Sequence, residues 1–441
     1  QEPRAKEGGL DHMTFTLHVD GPRWRQHLAT VRDDVREALH NGKAGARFGD
    51  IVPVAKGNGY GFGIANLAVE STRLGLDRIA VGTPHEAAVA ATYFKAQILV
   101  MQPWDPRDTN AKEVWDFIET RDFASRIVRT VASVEALHEL ATVGLGTASP
   151  ERPIQIVIEG LTSMRRFGLA EPDLDALLAD DAVREALRTR RIELLGLALH
   201  LPLAQPLAPH VETLETEFHD TNVTPTLASD ASGRVKEAWS WTLTWIRALG
   251  ALEDAGCMLT DDSAAVWASH LDDKELRQLR EAIPDIPLRV RIGTRLWLGD
   301  DGALSARGTV LAVHQVAKGR AVGYRQRRAP KDGLLIVVGG GTSHGVALEA
   351  PSPVSSLRQR AVAAGTGALE ASGRAKSPFT WDEKRRWFAE PPHMQVSMLW
   401  VTADDVRLAV GKGGRVPAVG DELECRVRHT TSAFDRIVGL D

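Results

Sequence analysis

The segment of this sequence richest in chemistry is Val54-Ala55-Lys56-Gly57-Asn58-Gly59-Tyr60-Gly61-Phe62-Gly63. It closes a predicted strand, Ile51–Ala55, with an amine. An apolar strand ahead of that amine would desolvate its ammonium and lower its pKa, which suits Schiff-base chemistry. Four glycines, at 57, 59, 61 and 63, then let the backbone approach a ligand closely. Taken alone, Lys56 also reads as a surface lysine beside a flexible turn, but the whole string is too specific for that. Taken singly, Arg166, His200, Ser269, Arg291 and Tyr324 carry no comparable signal, and each has a plain reading. His200 could be a satisfied core histidine at a strand end. The arginines could be salt-bridge partners, Ser269 a helix cap before Asp272, and Tyr324 a strand residue in an all-β core.

The elements that would carry these residues alternate. Ile51–Ala55, Arg78–Val81, Gln97–Met101, Arg126–Val131, Ile154–Ile158, Leu194–His200, Met258–Thr260 and Leu288–Gly293 read as strands. Helix-like stretches intervene at Ala65–Leu74, His85–Tyr93, Val134–Ala141, Asp173–Thr189 and Asp272–Ala282. Repeated strand–helix units imply a parallel sheet, and about eight of them favour a closed (β/α)8 TIM-like barrel. A lysine at the C-terminal end of such a strand stands where barrel enzymes place their active sites.

After Asp300 the pattern changes to β-rich segments separated by Gly and Pro: Val310–Gln315, Gly319–Tyr324, Leu334–Val338, Gln395–Val401 and Glu422–Val427. Only Pro353–Ala363 is a helix candidate there. The expected organisation is a barrel domain over 14–303 and a C-terminal antiparallel β domain over 304–441. Thr14–Val19 alternates like a strand and is a candidate to pair with the β domain. Residues 201–255 read as an insertion whose Trp239, Trp241 and Trp245 belong to the core of a covering helix.

Composition narrows the class. The 441 residues are 43% hydrophobic and 25% charged, the balance of a globular protein with a large core. A net charge of −5 without long basic runs argues against a nucleic-acid protein. Two cysteines, Cys257 and Cys425, exclude a disulfide scaffold and a four-cysteine zinc site, and fit a reducing, cytoplasmic setting. No apolar run reaches a membrane span. Residues 1–13 are polar, lack the apolar core of a signal peptide, and read as a tag or disordered segment.

The lysine string resembles the pyridoxal-phosphate (PLP) motif of the alanine racemase family, in which a strand ends in Lys and a Tyr-Gly-His-Gly step follows. Further segments resemble that family in the same order: Met164-Arg165-Arg166-Phe167-Gly168, Gly196-Leu197-Ala198-Leu199-His200, Ala268-Ser269, Val290-Arg291-Ile292-Gly293-Thr294, Gly319-Arg320-Ala321-Val322-Gly323-Tyr324 and Gln395-Val396-Ser397-Met398. The resemblance covers most of residues 14–441 and implies a fold-type-III PLP racemase. It implies that Lys56 carries the cofactor covalently and that Tyr60, Ser269 and the backbone of Gly293 and Thr294 meet its phosphate. Arg291 would face its pyridine nitrogen, and His200 would be the active-site histidine. Arg166 would lie near the substrate carboxylate, and the loop with Met398 would reach the partner subunit's site. Racemisation needs a base on each face of the α-carbon, and the resemblance assigns these to Lys56 and, from the other subunit of a homodimer, Tyr324. A phenol titrates near ~10, so as a base it needs neighbouring positive charge or hydrogen bonds, with His200 and Arg291 as candidates.

Arginine has no acceptor and stays charged, so Arg291 would leave the cofactor's ring nitrogen unprotonated and limit side reactions. That favours racemisation of alanine or another small neutral amino acid. A decarboxylase or lyase on the same scaffold, and a non-catalytic PLP-binding protein, stay open as other readings. The sequence also departs from the family. Phe62 replaces a histidine, and Glu159 falls where many members carry a carbamylated lysine, so that a native carboxylate could pair with Arg166. Phe434 falls near a phosphate-binding tyrosine. Gly339-Gly340-Gly341-Thr342-Ser343-His344-Gly345 removes a tyrosine from the substrate channel and adds His344, a candidate substrate contact.

Overall fold

The computed structural model describes residues 14–40, 49–143, 149–206, 227–348 and 375–441. By internal contacts the chain forms two units, one of His27–Gly59 and Gly63–Gly299, the other of the residues up to Gln26, Tyr60–Phe62 and Asp300–Asp441.

The first unit is a closed barrel of eight parallel strands. They are β2 (Gly49–Ala55), β3 (Arg78–Val81), β4 (Gln97–Pro103), β5 (Ile127–Val131), β6 (Ile154–Gly160), β7 (Ile192–Leu199), β8 (Val266–Ser269) and β9 (Leu288–Ile292). Closure comes from β2 pairing with β9, in register from Gly49 with Leu288 to Pro53 with Ile292. Because strands of a parallel barrel are covered on both faces, they are near-continuous apolar runs. Val52, Val54, Leu99, Val128, Val157 and Trp267 fill the interior with side chains from five different strands.

Helices α2 (Ile64–Arg73), α3 (Pro84–Tyr93), α4 (Thr109–Glu119) and α5 (Val134–Thr142) follow their strands in turn. Local chemistry starts several of them. Thr83 and Glu86 form a capping box for α3, and Ser133 accepts from Ala136 N at the start of α5.

Three expectations need correction. Asp173–Thr189 is two helices, α6 (Glu171–Leu178) and α7 (Asp181–Arg188). Asp180 breaks the run because its carboxylate accepts from Ala182 N and Val183 N, which restarts the helix there. The barrel strand before α9 (Asp273–Ala282) is Val266–Ser269, not Met258–Thr260; Met258 is exposed, whereas all four residues of β8 are buried. The span read as an insertion contains the barrel's own crossover helix, α8 (Gly233–Asp254), between β7 and β8. Its Trp239, Trp241 and Trp245 are buried, as a covering helix requires. Residues 207–226 of that span, and the helix candidate Pro353–Ala363, lie outside the described residues.

The second unit holds an eight-stranded sheet. Its long strand β10 (Leu304–Val316) lies antiparallel to β1 (Phe15–Val19), to β13 (Gly333–Gly339) and to β17 (Glu422–Cys425). The segment Thr14–Val19 thus contributes the strand β1 to this sheet. A small hairpin, β11 (Ala321–Val322) with β12 (Arg327–Arg328), projects beside it. Strands β14 (Lys376–Trp381), β15 (Lys384–Phe388), β16 (Val396–Thr402) and β18 (Arg436–Val438) complete the sheet. Helix α11 (Ala403–Gly411) was not expected; Thr402 caps it through Asp405 N. Phe15, Ile336, Phe379 and Leu399 anchor the core. Among the described residues, no helix is long and apolar enough to cross a membrane.

Trp245 is fully buried, and its Nε1 donates to Ser263 O at 2.9 Å. Trp245→Ala should therefore destabilise the barrel by about 3–5 kcal/mol, through both the cavity and the orphaned carbonyl. Urea denaturation followed by circular dichroism measures this, and a loss below about 1 kcal/mol would contradict the packing.

Candidate active site

Lys56 follows β2 directly, at the C-terminal mouth of the barrel. The backbone turns sharply after it: Gly57 sits at φ 63°, Gly59 N donates to Lys56 O at 3.1 Å, and Gly63 N to Asn58 O at 3.1 Å. Tyr60 takes φ 55°, a strained value for a non-glycine residue, and its side chain is buried. Glu86 fixes the turn from behind. One of its oxygens accepts from Gly57 N at 2.8 Å, and the other from Gly82 N at 2.6 Å and Thr83 N at 3.2 Å. A Cβ at residue 82 would lie 2.8 Å from Glu86 Oε2 and 3.1 Å from Lys56 Cβ, so a side chain there would push the Glu86 carboxylate out of place.

The end of β7 supplies a junction. Leu199 O accepts from Arg291 Nη2 at 3.0 Å and from Ser269 Oγ at 3.5 Å. Ser269 Oγ also lies 3.3 Å from His200 Nδ1, and the His200 ring meets His270 edge-on at a 4.9 Å centroid distance. The cap of α9 is Asp272, paired with Glu275, so Ser269 is not a helix cap. Thr294 opens the short helix α10 (Thr294–Leu298), whose N-cap, Gly293, has no side chain to offer. Trp297 Nε1 donates to Val54 O at 2.8 Å and so ties α10 to β2.

Arg166 lies on the loop after β6, its guanidinium over the Phe167 ring at 5.2 Å. Glu237 on α8 accepts from both Ser163 N and Ser163 Oγ, and so braces that loop. A Cβ at Gly160 would press on Trp241 of the same helix at 3.0 Å. A cavity of about 770 Å³ opens here, lined by Lys56, Gln102, Trp104, Asp105, Arg166 and Phe167 among others.

Charge dominates the site. Burial, then Arg166 and Arg291, lowers the Lys56 pKa, and Glu86 opposes them. Arg291 is buried; burial and Arg166 lower its pKa, and Glu159 opposes them. Glu159 is buried too, so its pKa rises, with Arg291 and then Arg166 pulling it down. No direct ion pair among the described residues joins Glu159 to Arg166; its charge reaches both arginines from a distance. His200 is driven down to about 2, first by burial and then by Arg291, Arg166, His270 and Lys56. It is therefore neutral at working pH and cannot supply the positive charge that the sequence offered it as a candidate to give. Burial also pushes the Tyr60 phenol up to about 12, which keeps it a proton donor.

The structure thus gathers Lys56, Arg166, His200, Ser269 and Arg291 in one barrel mouth. The remaining candidates lie in the sheet unit. Tyr324, on the turn between β11 and β12, is 85% exposed. Met398 packs with Leu335 and Trp400 on the sheet. His344 has a structural job rather than an open face: its Nδ1 accepts from Gly341 N at 3.1 Å and its Nε2 lies 3.1 Å from Asp435 Oδ1. The stretch Tyr60–Phe62 groups with this unit, where Phe62 stacks on Trp24 at 4.6 Å. Phe434 stacks on Phe15 at 5.4 Å, and its ring edge would lie 3.0 Å from a Cβ at residue 61. The sequence reading missed Glu86, Glu237 and His270. Only Glu86 left a signal, the Thr-Pro-His-Glu capping pattern at 83–86.

A model of the alanine racemase N-terminal domain family matches residues 33–222. The alanine racemase of Nitratidesulfovibrio vulgaris is 27% identical over 296 residues, 66% of this chain and 67% of that one. Among solved structures, the fold resembles an alanine racemase from Bartonella henselae with covalently bound pyridoxal phosphate, at a TM-score of 0.55 and 14% identity over 97% of this chain and all of that one. It also resembles a histidine racemase from Leuconostoc mesenteroides, at 0.54 and 17% over 97% and 99% of the two chains. These likenesses support the alanine racemase family, and with it a PLP-dependent isomerase.

The site's own chemistry fits that cofactor. Lys56 Nζ has no hydrogen-bond or ion-pair partner among the described residues, and Arg291 Nε is buried without one. Arg166 and Arg291 act on Glu159 and Lys56 on Glu86, which leaves an excess of positive charge suited to a phosphate and a substrate carboxylate. No group of His, Cys, Asp and Glu among the described residues is arranged for a metal ion.

Because the folded value of His200 lies below the ordinary one, the unfolded chain binds the extra proton. Stability should fall as pH drops below about 6.5, by at most about 1.4 kcal/mol per pH unit from this group. Thermal midpoints across pH should decline less steeply in His200→Asn; parallel declines would contradict the neutral assignment.

Proposed function

We propose that this chain racemises a free α-amino acid, alanine or another small neutral one, by moving the α-proton between two bases on opposite faces. The observation that carries the reading is Lys56 at the barrel mouth, its amine without a hydrogen-bond partner among the described residues and its proton affinity lowered by burial and by Arg166 and Arg291. Pyridoxal phosphate, when bound, supplies the electron sink that makes the α-proton acidic. Lys56 Nζ would hold it covalently, with Ser269, the Gly293 and Thr294 backbone and the protonated phenol of Tyr60 as phosphate ligands. His200, neutral, and Arg291, charged, would border its ring. Arg291 can only donate, so it withholds a proton acceptor from the ring nitrogen, which favours returning the proton to carbon over decarboxylation.

Arg166 binds and orients the substrate carboxylate. Lys56 Nζ takes and returns the proton on one face, and Tyr324 Oη on the other. The lowered Lys56 pKa keeps more of the amine neutral, and so basic, near neutral pH than an ordinary lysine would be. Tyr324 is solvent-exposed, consistent with a residue that completes the site of a second copy, so we assign a homodimer with shared sites. With His200 neutral, Arg291 remains as the cation to favour the phenolate.

Incubation with a panel of L-amino acids in deuterated water tests this. The protein as proposed gives α-deuterated product of both configurations from a small neutral substrate. Release of amine and carbon dioxide would replace the reading with decarboxylation, and no exchange with any amino acid would leave a carrier. Lys56→Ala should lose turnover by at least ~10³-fold. Tyr324→Phe should lose exchange on one face only, and equal loss on both would contradict the two-base assignment.

A further inference from the structure

Tyr324 projects from a two-stranded hairpin, a weak support for a residue that must meet an α-carbon with sub-ångström accuracy. What holds it is a carboxylate from elsewhere in the chain. Glu390 is 3% exposed, although glutamate is seldom buried without partners. Its Oε1 accepts from Tyr324 N at 3.2 Å and its Oε2 from Arg325 N at 3.4 Å. A Cβ at residue 323 would fall 2.2 Å from the Glu390 carboxyl carbon, so the hairpin closes onto that group with no room to spare. The same Oε1 lies 2.6 Å from His393 Nε2, and the His393 ring rests against the Tyr324 ring, centroids 4.5 Å apart and planes at 37°. His393 is itself anchored, because its backbone N donates to Val396 O and its O accepts from Thr342 N. His393, Tyr324 and Arg325 lower the Glu390 pKa against the effect of burial, so the clamp is anionic.

We propose that Glu390 and His393 are positioning residues for the Tyr324 base: the Glu390 carboxylate clips the backbone at Tyr324 and Arg325, and the His393 imidazole, held by that carboxylate, fixes the phenol ring. The three groups form a closed chain of contacts in which backbone, carboxylate, imidazole and phenol each constrain the next. The pair stands three and six residues ahead of Val396 and so also ties the hairpin to the strand that carries Met398. This inference rests on the reading of Tyr324 as the second base.

The test measures α-proton exchange in deuterated water on each face separately, starting from each pure enantiomer, in PLP-loaded protein. Glu390→Gln is nearly isosteric, and His393→Phe keeps a ring against Tyr324 while removing the link to Glu390; His393→Ala removes both. Exchange on the Tyr324 face should slow by roughly tenfold in Glu390→Gln and up to ~10²-fold in His393→Ala, with His393→Phe partly restored and the Lys56 face unchanged. The loss should appear in kcat with little change in KM. The protein has only three tyrosines, so ring-labelled tyrosine resonances, with Tyr324→Phe to assign the signal, report the phenol's environment independently of activity. The Tyr324 signal should move toward the free-amino-acid position in His393→Ala while Tyr60 and Tyr93 stay put. Equal slowing on both faces, or an unmoved Tyr324 resonance, would overturn the proposal. If Tyr324→Phe itself spares both faces, the two-base reading fails instead; if it removes one face and these variants do not, only the positioning role fails.

Discussion

Positive charge held out of water at the mouth of the barrel is the constraint on which the rest of the site depends. Arg291 is buried, and Arg166 and Lys56 line one cavity, with Glu159 and Glu86 as counter-charges. Three cations in one mouth are costly unless an anion joins them, so the site is built for a phosphate and a carboxylate. The same field fixes the protonation states around it. It makes the Lys56 amine easier to deprotonate and keeps His200 neutral. A histidine that cannot take up a proton in this range is a fixed hydrogen-bonding group, which suits its contact with Ser269.

Such an arrangement holds only if the strand ends cannot drift, and each is tied by a group from another element. The Leu199 carbonyl receives Arg291 and Ser269, so three strand ends share one acceptor. Glu86 binds the turn after Lys56 to the start of α3, and Glu237 binds the loop of Arg166 to α8. The ties made by Arg291, Glu86 and Glu237 are charge-assisted hydrogen bonds to backbone or hydroxyl groups, stronger than neutral ones. Glu390 repeats the device in the sheet unit, where a short hairpin has little packing of its own.

The parts of the fold legible in the sequence were those fixed by short-range patterns. Buried parallel strands are apolar runs, so most of the barrel could be read directly, and Lys56 with its glycines announced itself by composition and spacing. Met258–Thr260 misled because its apolar residues imitate a strand, while Val266-Trp267-Ala268-Ser269 is distinguished only by closing the ring between β7 and β9. Helix α8 looked like an insertion because a long irregular stretch precedes it. Glu237, His270, Glu390 and His393 left no trace because their roles arise from contacts across 66 to 74 residues, as for Ser163 with Glu237, Leu201 with His270, and Tyr324 with Glu390 and His393. His344 shows how a motif position leaves packing unread. Its position in the motif suggested substrate contact, and packing against Phe15 with a bond to Asp435 gave it a place in the sheet's interior.

The central claim concerns one nitrogen. Incubating the protein with pyridoxal phosphate, reducing with borohydride and mapping the peptides by mass spectrometry reads it directly. The account predicts one pyridoxyl group per chain, on Lys56, and its loss in Lys56→Ala. Label spread over the exposed lysines with Lys56 unmodified would contradict it.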